Sequence, residues 1–280
     1  MTEFRPIRSR SNSFLRRLRA LARSPERRRL EQVYLTEGIR WIEEALSAPA
    51  ALAAVLVSPR LGTTGRGLRL RERLARLACE RYELSDALLG SVAHTRACQG
   101  VLALLRCPPE GLDCFLRAQL GRRQRCLWIV ASGIQDPGNL GGLLRTAWVL
   151  QATGFVTHAS ADLFHPRAVR ASAGALLRMP VARAASEKEL CEALEQVEAH
   201  AAVPCGGSDP RALDWSRHCA LVLGSEAHGL SAAVLAACRG RVSVAMRAHS
   251  ESLNVGAAAA ALLALIGPAA RLVESSRADP

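Results

Sequence analysis

Three short segments in the second half of this 280-residue chain hold residue types from which a binding or catalytic site could be built. They are DPGNLGGLLRTA (Asp136 to Ala147), LVLGSEAHGLS (Leu221 to Ser231) and VAMRAHSESLNVG (Val244 to Gly256). Each follows an apolar run and mixes glycine with hydrogen-bonding side chains. Glycine lets backbone approach a ligand closely, and Asn139 is placed to cap the helix that opens there. Arg145 reads as buried on that helix, which folding alone does not explain. Each polar residue also has an ordinary reading: Asn139 as a helix cap, Arg145 as a carboxylate's partner, Glu226 as a surface charge, Ser252 as the N-cap of the last helix. The segments contain neither G-x-G-x-x-G nor G-x-x-x-x-G-K-[ST], so a nicotinamide-type dinucleotide site and a P-loop lack support. His228 and His249 stand without the further ligands at fixed spacing that a metal requires, and read as exposed bystanders or contacts to a partner.

Elements must bring these segments together, and the patterning supplies them. CLWIVASGI, GFVTHA, AAVPCGG, CALVLGSE and RVSVAM read as strands. NLGGLLRTAWVLQ, EKELCEALEQVEAH, SAAVLAACR and SLNVGAAAAALLALIG read as helices, and PRAVRASAGALLRMPVARA as a helix running into a strand. Continuous apolar strands between helices predict a parallel sheet covered on both faces, with ligands bound at the carboxyl ends of its strands. The first half alternates as well: QVYLTEG, AAVLVSP, CERYELS and GVLALLRC as strands, IRWIEEAL and RLRERLARLA as helices. This predicts a smaller α/β domain over residues 1–110, closed by the Pro-Pro and Gly punctuation of CPPEGLD, then a linker over 111–124. The larger domain is expected over 125–270, with a tail over 271–280.

Composition narrows the partner. The chain carries 37 basic residues against 25 acidic ones, a net charge of +12, with Lys188 its only lysine. A GC-rich genome accounts for Arg in place of Lys, but not for the excess of base over acid. That excess favours a polyanion. Residues 1–40 hold eleven Arg against four Glu, and Leu15, Leu18 and Leu21 predict an amphipathic helix with a cationic outer face, either solvated or touching nucleic acid. The nine cysteines form no C-x-x-C pair and read as reduced, buried thiols. The amino terminus has no apolar core like that of a signal peptide, and the longest apolar run, Val255 to Ile266, falls short of the ~20 residues a bilayer span takes. The expectation is a soluble cytoplasmic protein without a membrane or metal partner.

The trio N-x-G-x-x-x-R (Asn139, Gly141, Arg145), L-G-x-E-x-x-G (Leu223 to Gly229) and S-L-N-V (Ser252 to Val255), in this order, resembles the SpoU/TrmH family of RNA ribose 2′-O-methyltransferases of the SPOUT class. FHPRAVRASAGALLRMPV looks like that family's segment between the first and second motifs, and LTEG with HTRACQGVLAL like the amino-terminal substrate-binding domain of its longer members. The resemblance implies a carboxy-terminal domain with a deep trefoil knot and parallel sheet, and a smaller amino-terminal α/β substrate-binding domain similar to a ribosomal RNA-binding protein. It implies S-adenosyl-L-methionine as cofactor, held by Leu223, Gly224, Val244, Met246, Ser252 and Leu253, with the missing side chain of Gly224 admitting the adenosine. Asn139, Arg145, Glu226, Ser252 and Asn254 are the implied catalytic set. Arg145 would act as base toward the 2′-hydroxyl, or hold the phosphate and stabilise the nascent alkoxide. The implied assembly is a homodimer through the knotted domain, in which one subunit's arginine serves the other's cofactor. The implied substrate is large-subunit ribosomal RNA, with transfer RNA as the alternative and a resistance role open. Rival readings are a ribosome-assembly factor that has lost catalysis and a nucleotide-dependent oxidoreductase; cofactor titration separates the first, NADH binding the second. The chain departs from the family's pattern at Ala245, where proline is usual, at Gly256, where serine is usual, and at Trp148, where a small or acidic residue is common.

Overall fold

The computed structural model describes residues 4–48, 51–95, 98–247 and 253–267. They fall into two compact units, one of residues up to Pro108 together with Asp162–Arg178, the other of Pro109–Ala161 with the chain from Met179 onward.

The first unit runs β1 (Arg5–Ile7), α1 (Ser13–Arg23), α2 (Pro25–Glu31), β2 (Val33–Glu37), α3 (Ile39–Ser47), β3 (Leu52–Val57), α4 (Gly65–Ala75), β4 (Glu80–Leu84), α5 (Asp86–Gly90) and β5 (Val101–Arg106). Its sheet has the order β1-β4-β3-β5-β2, with β5 antiparallel to both neighbours and the other pairs parallel. On α1, Asn12 caps the first turn through Phe14 N–H, and Leu15, Leu18 and Leu21 are fully buried. Their i, i+3, i+6 spacing turns Arg16, Arg17 and Arg23 outward, the cationic face the pattern predicts.

The second unit adds α6 (Leu112–Leu120), β6 (Leu127–Ser132), α7 (Pro137–Val149) and β7 (Gly154–His158). After α8 (Pro166–Ala171) it continues with β8 (Val181–Ala184), α9 (Glu187–Leu194), β9 (Glu198–Ala202), β10 (Cys219–Leu223), α10 (Ala232–Ala237), β11 (Gly240–Val242) and α11 (Val255–Ile266). All six strands are parallel, in the order β11-β9-β10-β6-β7-β8. Every residue of β6 and β10 is buried, as a sheet covered on both faces demands. From β6 the chain winds one way to β7 and β8, then crosses to the other side for β9, and β10 enters between β9 and β6. The loops leaving β6 and β10 therefore start side by side, at a reversal of strand order where such sheets bind ligands.

Several expectations need correction. Residues 111–124 are not a plain linker: α6 buries Leu112, Phe115 and Leu116 in the second unit's core. The helix read through EKELCEALEQVEAH ends at Leu194, and Glu198 opens a strand. Residues 162–178, expected within the carboxy-terminal domain, pack in the first unit. There Arg28, only 1% exposed, donates from Nε to Asp162 Oδ2 at 2.6 Å and also to the Leu21 carbonyl, while Trp41 Nε1 donates to the Val169 carbonyl at 3.1 Å. Nor are the thiols uniformly buried. Cys98, Cys126 and Cys219 are, but Cys114 and Cys205 are exposed and Cys238 is half-buried. Burial pushes the Cys219 and Cys238 thiols up to about 11.

Candidate functional site

The helix that opens after β6 is capped by Asp136, whose carboxylate accepts from Asn139 N–H at 2.8 Å, and Pro137 occupies its first position. This corrects the cap reading of Asn139. Its backbone is served by Asp136, so its side chain is available for another task. That task is a chain of three hydrogen bonds. Asn254 caps α11 by accepting from Gly256 N–H at 2.9 Å, and a backbone N–H can only donate. The Asn254 Oδ1 is thereby fixed as acceptor, and its Nδ2 donates to Asn139 Oδ1 at 3.2 Å. The amide of Asn139 is fixed in turn, and its Nδ2 donates to Glu226 Oε1 at 2.7 Å. One residue from each of the three motif segments enters this relay, and the backbone at one end sets its direction.

Glu226 is held by a tight loop after β10. Ser225 and Gly229 exchange backbone hydrogen bonds at 3.1 and 2.9 Å, and His228 N–H donates to Ser225 Oγ at 3.0 Å. Gly224 is required by this loop itself. A Cβ there would lie 2.4 Å from the Gly229 carbonyl carbon and 2.7 Å from Leu230 N, so the fold needs this glycine whether or not an adenosine approaches it. Gly224→Ala is therefore expected to force the loop open and weaken cofactor binding by at least about tenfold, read by calorimetry against the unchanged protein.

Leu223, Gly224, Glu226, Val244, Met246 and Leu253 all line one cavity of about 530 Å3 at the carboxyl ends of β9, β10 and β11. Sequence reasoning missed two parts of its wall: Ala202 at the end of β9 with Val203 and Pro204 beyond it, and the Val255, Ala258 and Leu262 face of α11. The signal for the first was present in AAVPCGG, an apolar strand stopped by Pro and Gly at a carboxyl end. The cavity's size and mixed lining suit a cofactor with an apolar ring system and polar edges. Leu223, Val255 and Leu262 give an apolar wall, while the loop backbones at Gly224, Val244 and Leu253 carry donors and acceptors for a heterocycle's edge. S-adenosylmethionine fits this donor set. Ser252 and His249 lie outside the described residues. His228 is exposed on the cavity rim, and among the described residues no His, Cys, Asp or Glu cluster could hold a metal.

Arg145 stands apart from the relay. Expected as buried, it is exposed on α7, and no carboxylate pairs with it among the described residues. Its helical neighbours at i+3 and i+4, Trp148 and Val149, are 40% and 64% exposed, so the arginine shares an open face with two large apolar residues.

A profile of the SpoU rRNA Methylase family matches residues 126–264, and one of an MRM3-like substrate binding domain matches residues 12–103. An uncharacterized tRNA/rRNA methyltransferase of Synechocystis sp. is 30% identical over 92% of this chain and 91% of its own length. The 23S rRNA (guanosine(2553)-2′-O)-methyltransferase RlmP of Bacillus subtilis is 29% identical over 82% of this chain and 86% of its own. Among solved structures, the SpoU methyltransferase AviRb of Streptomyces viridochromogenes, in complex with its cofactor AdoMet, aligns with a TM-score of 0.82 at 25% identity, over 91% of this chain and 97% of that one. With a 30% identical relative matched over nearly its full length, and the family profile running through all three loops of the cavity, the chain belongs to the SpoU rRNA methylase family.

Proposed function

We propose that the protein methylates a ribose 2′-hydroxyl of large-subunit ribosomal RNA, using S-adenosylmethionine. The observation that carries this reading is the Glu226–Asn139–Asn254 relay, with Glu226 lining the cavity that a cofactor of this kind fits. Bound there, S-adenosylmethionine supplies a methyl group already activated by its sulfonium. What remains for the protein is alignment of the ribose and stabilisation of the oxygen as its proton leaves. Leu223, Gly224, Val244, Met246 and Leu253 would hold the cofactor, with Ser252 beside them. Asn139, Glu226 and Asn254 fix hydrogen-bond directions at the cavity, so a hydroxyl presented there meets a preset acceptor rather than a rotating side chain. An arginine is a poor proton acceptor, so Arg145 serves as the charge that grips the substrate phosphate and steadies the developing alkoxide.

The exposed arginine belongs to the same proposal. Arg145 beside Trp148 and Val149 fits a homodimer through the carboxy-terminal domain, where covering the apolar pair places the guanidinium against a second copy. The proposal includes the deep trefoil knot, into which the late entry of β10 and the return of α11 onto α7 fit. The amino-terminal unit is assigned to RNA binding on the strength of exposed Arg16, Arg23 and Arg27 along α1 and α2. No described helix is long and apolar enough to cross a membrane, and a cytoplasmic location is part of the reading.

The test is a map of ribose methylation across total RNA from cells with and without this gene. One large-subunit nucleotide is expected to lose its 2′-O-methyl when the gene is removed. Loss confined to a transfer RNA would move the substrate, and two identical maps would refute the activity.

A further inference from the structure

The sheet of the second unit has a second concavity, at its opposite edge. Connections entering β6, β9, β10 and β11 at their amino ends line a groove of about 490 Å3, and those strands are neighbours in the sheet. Arg123 and Arg125 precede β6, Arg217 and His218 precede β10, and Arg239 precedes β11, against Glu195 just after α9 and Glu198 at the start of β9. Four arginines thus meet two glutamates. Glu198 is shared between Arg217 at 3.4 Å and Arg239 at 3.0 Å, yet those arginine side chains stay 70% and 69% exposed. Arg123 is exposed and has no carboxylate partner among the described residues. Arg125 has a buried Nε with no acceptor, and its Nη1 makes only a 3.4 Å bond to the Trp215 carbonyl. His218 accepts Cys126 N–H on Nδ1 at 3.1 Å, so the neutral ring carries its proton on Nε2 as a further donor.

Helices α6, α9 and α10 end at this edge, and cations there answer the helix dipoles. Dipole compensation explains exposed arginines, but it calls for neither a groove nor a buried guanidinium nitrogen lacking an acceptor. Both features ask for an oxyanion. The lining offers charged forks, one apolar side chain, Val197, and no Phe, Tyr or Trp; its one ring, His218, is tethered by the bond from Cys126 N–H. Phosphodiester oxygens match such forks, and four guanidinium groups side by side suit a repeating anion rather than an apolar peptide.

We propose that this groove binds the phosphate backbone of the RNA substrate, giving the second unit an RNA contact at the edge of the sheet opposite the methyl-transfer cavity. The proposal rests on the RNA methyltransferase reading. Its test uses the full chain with Arg123→Gln and Arg217→Gln combined, both far from the cofactor cavity. Affinity for a large-subunit ribosomal RNA fragment is measured over a salt series, beside S-adenosylmethionine affinity by calorimetry. RNA binding is expected to weaken about tenfold, and the slope of log K against log salt to shrink by about 2, roughly one per lost phosphate contact. Cofactor affinity stays as it was, which also verifies folding. A control with Arg183→Gln and Lys188→Gln removes the same charge from β8 and the start of α9 and is expected to keep the slope. An unchanged slope in the groove variant, or an equal loss in the control, overturns the proposal. The two readings fail separately: identical methylation maps with and without the gene remove the enzyme reading, whereas a normal map with an unchanged slope removes the groove alone.

Discussion

Arg145→Ala is expected to lower methyl transfer by about 100- to 1,000-fold while leaving cofactor affinity and thermal stability nearly unchanged. The expectation of unchanged stability comes from position. Arg145 is exposed and makes no ion pair among the described residues, and a surface substitution of that kind moves stability by about 0.5 kcal/mol at most. The expectation of lost activity comes from chemistry. A ribose hydroxyl gains negative charge as its proton leaves, and without a fixed cation nearby that charge is stabilised only by solvent. Arg145→Lys is expected to recover little, because an ammonium cannot reproduce two parallel contacts to a phosphate. Methyl incorporation into the ribosomal RNA fragment under single-turnover conditions measures both variants. Wild-type turnover in Arg145→Ala would strip the arginine of its role and leave the relay without a cation.

What the sequence disclosed and what it hid follow physical lines. Strands β6 and β10 were legible because burial on both faces leaves no polar residue to interrupt them. Strand β9 is legible in AAVPCGG but starts three residues earlier than expected, because Glu198 and His200 extend the polar rhythm of the helix before it. Leu112, Phe115 and Leu116 have helical spacing, but the adjacent Pro-Pro and Gly punctuation is equally the signature of a linker. The membership of residues 162–178 in the first unit could not be read at all. It is set by pairings such as Arg28 with Asp162, 134 positions apart, for which local pattern holds no signal. Residue types and order single out three loops whose Asn139, Glu226 and Asn254 meet in the folded chain. The cap was misassigned because Asp136 and Asn139 are both cap formers, and Pro137 at the first helical position should have decided for Asp136. Gly224 shows a subtler limit. A glycine at a ligand site invites a ligand-based reason, but in the folded loop the Gly229 carbonyl already leaves no room for a side chain.

The direction of the relay gives the sharpest test of the site, through Asn139→Asp. This change keeps the side chain's shape and its acceptor toward Asn254, but replaces the amide that donates to Glu226 with a second carboxylate oxygen. The wild-type contact is 2.7 Å, a hydrogen-bond distance that two carboxylates cannot share unless a proton lies between them. At neutral pH the variant must therefore push Glu226 away or capture a proton. Methyl transfer is expected to fall by at least about tenfold relative to wild type at about pH 8. As the pH drops toward about 5 the carboxylate pair takes up one proton, a donor is restored between the two side chains, and the ratio of variant to wild-type activity rises. Asn139→Ala loses the donor permanently, and its ratio is expected to stay flat over the same range. Cofactor affinity, measured at each pH, separates a displaced Glu226 from a collapsed cavity, because Asn139 is not among the residues lining it. A flat profile for Asn139→Asp would mean that the orientation imposed from the first turn of α11 does not reach the reacting oxygen, and that the three asparagine and glutamate side chains only tie the loops together.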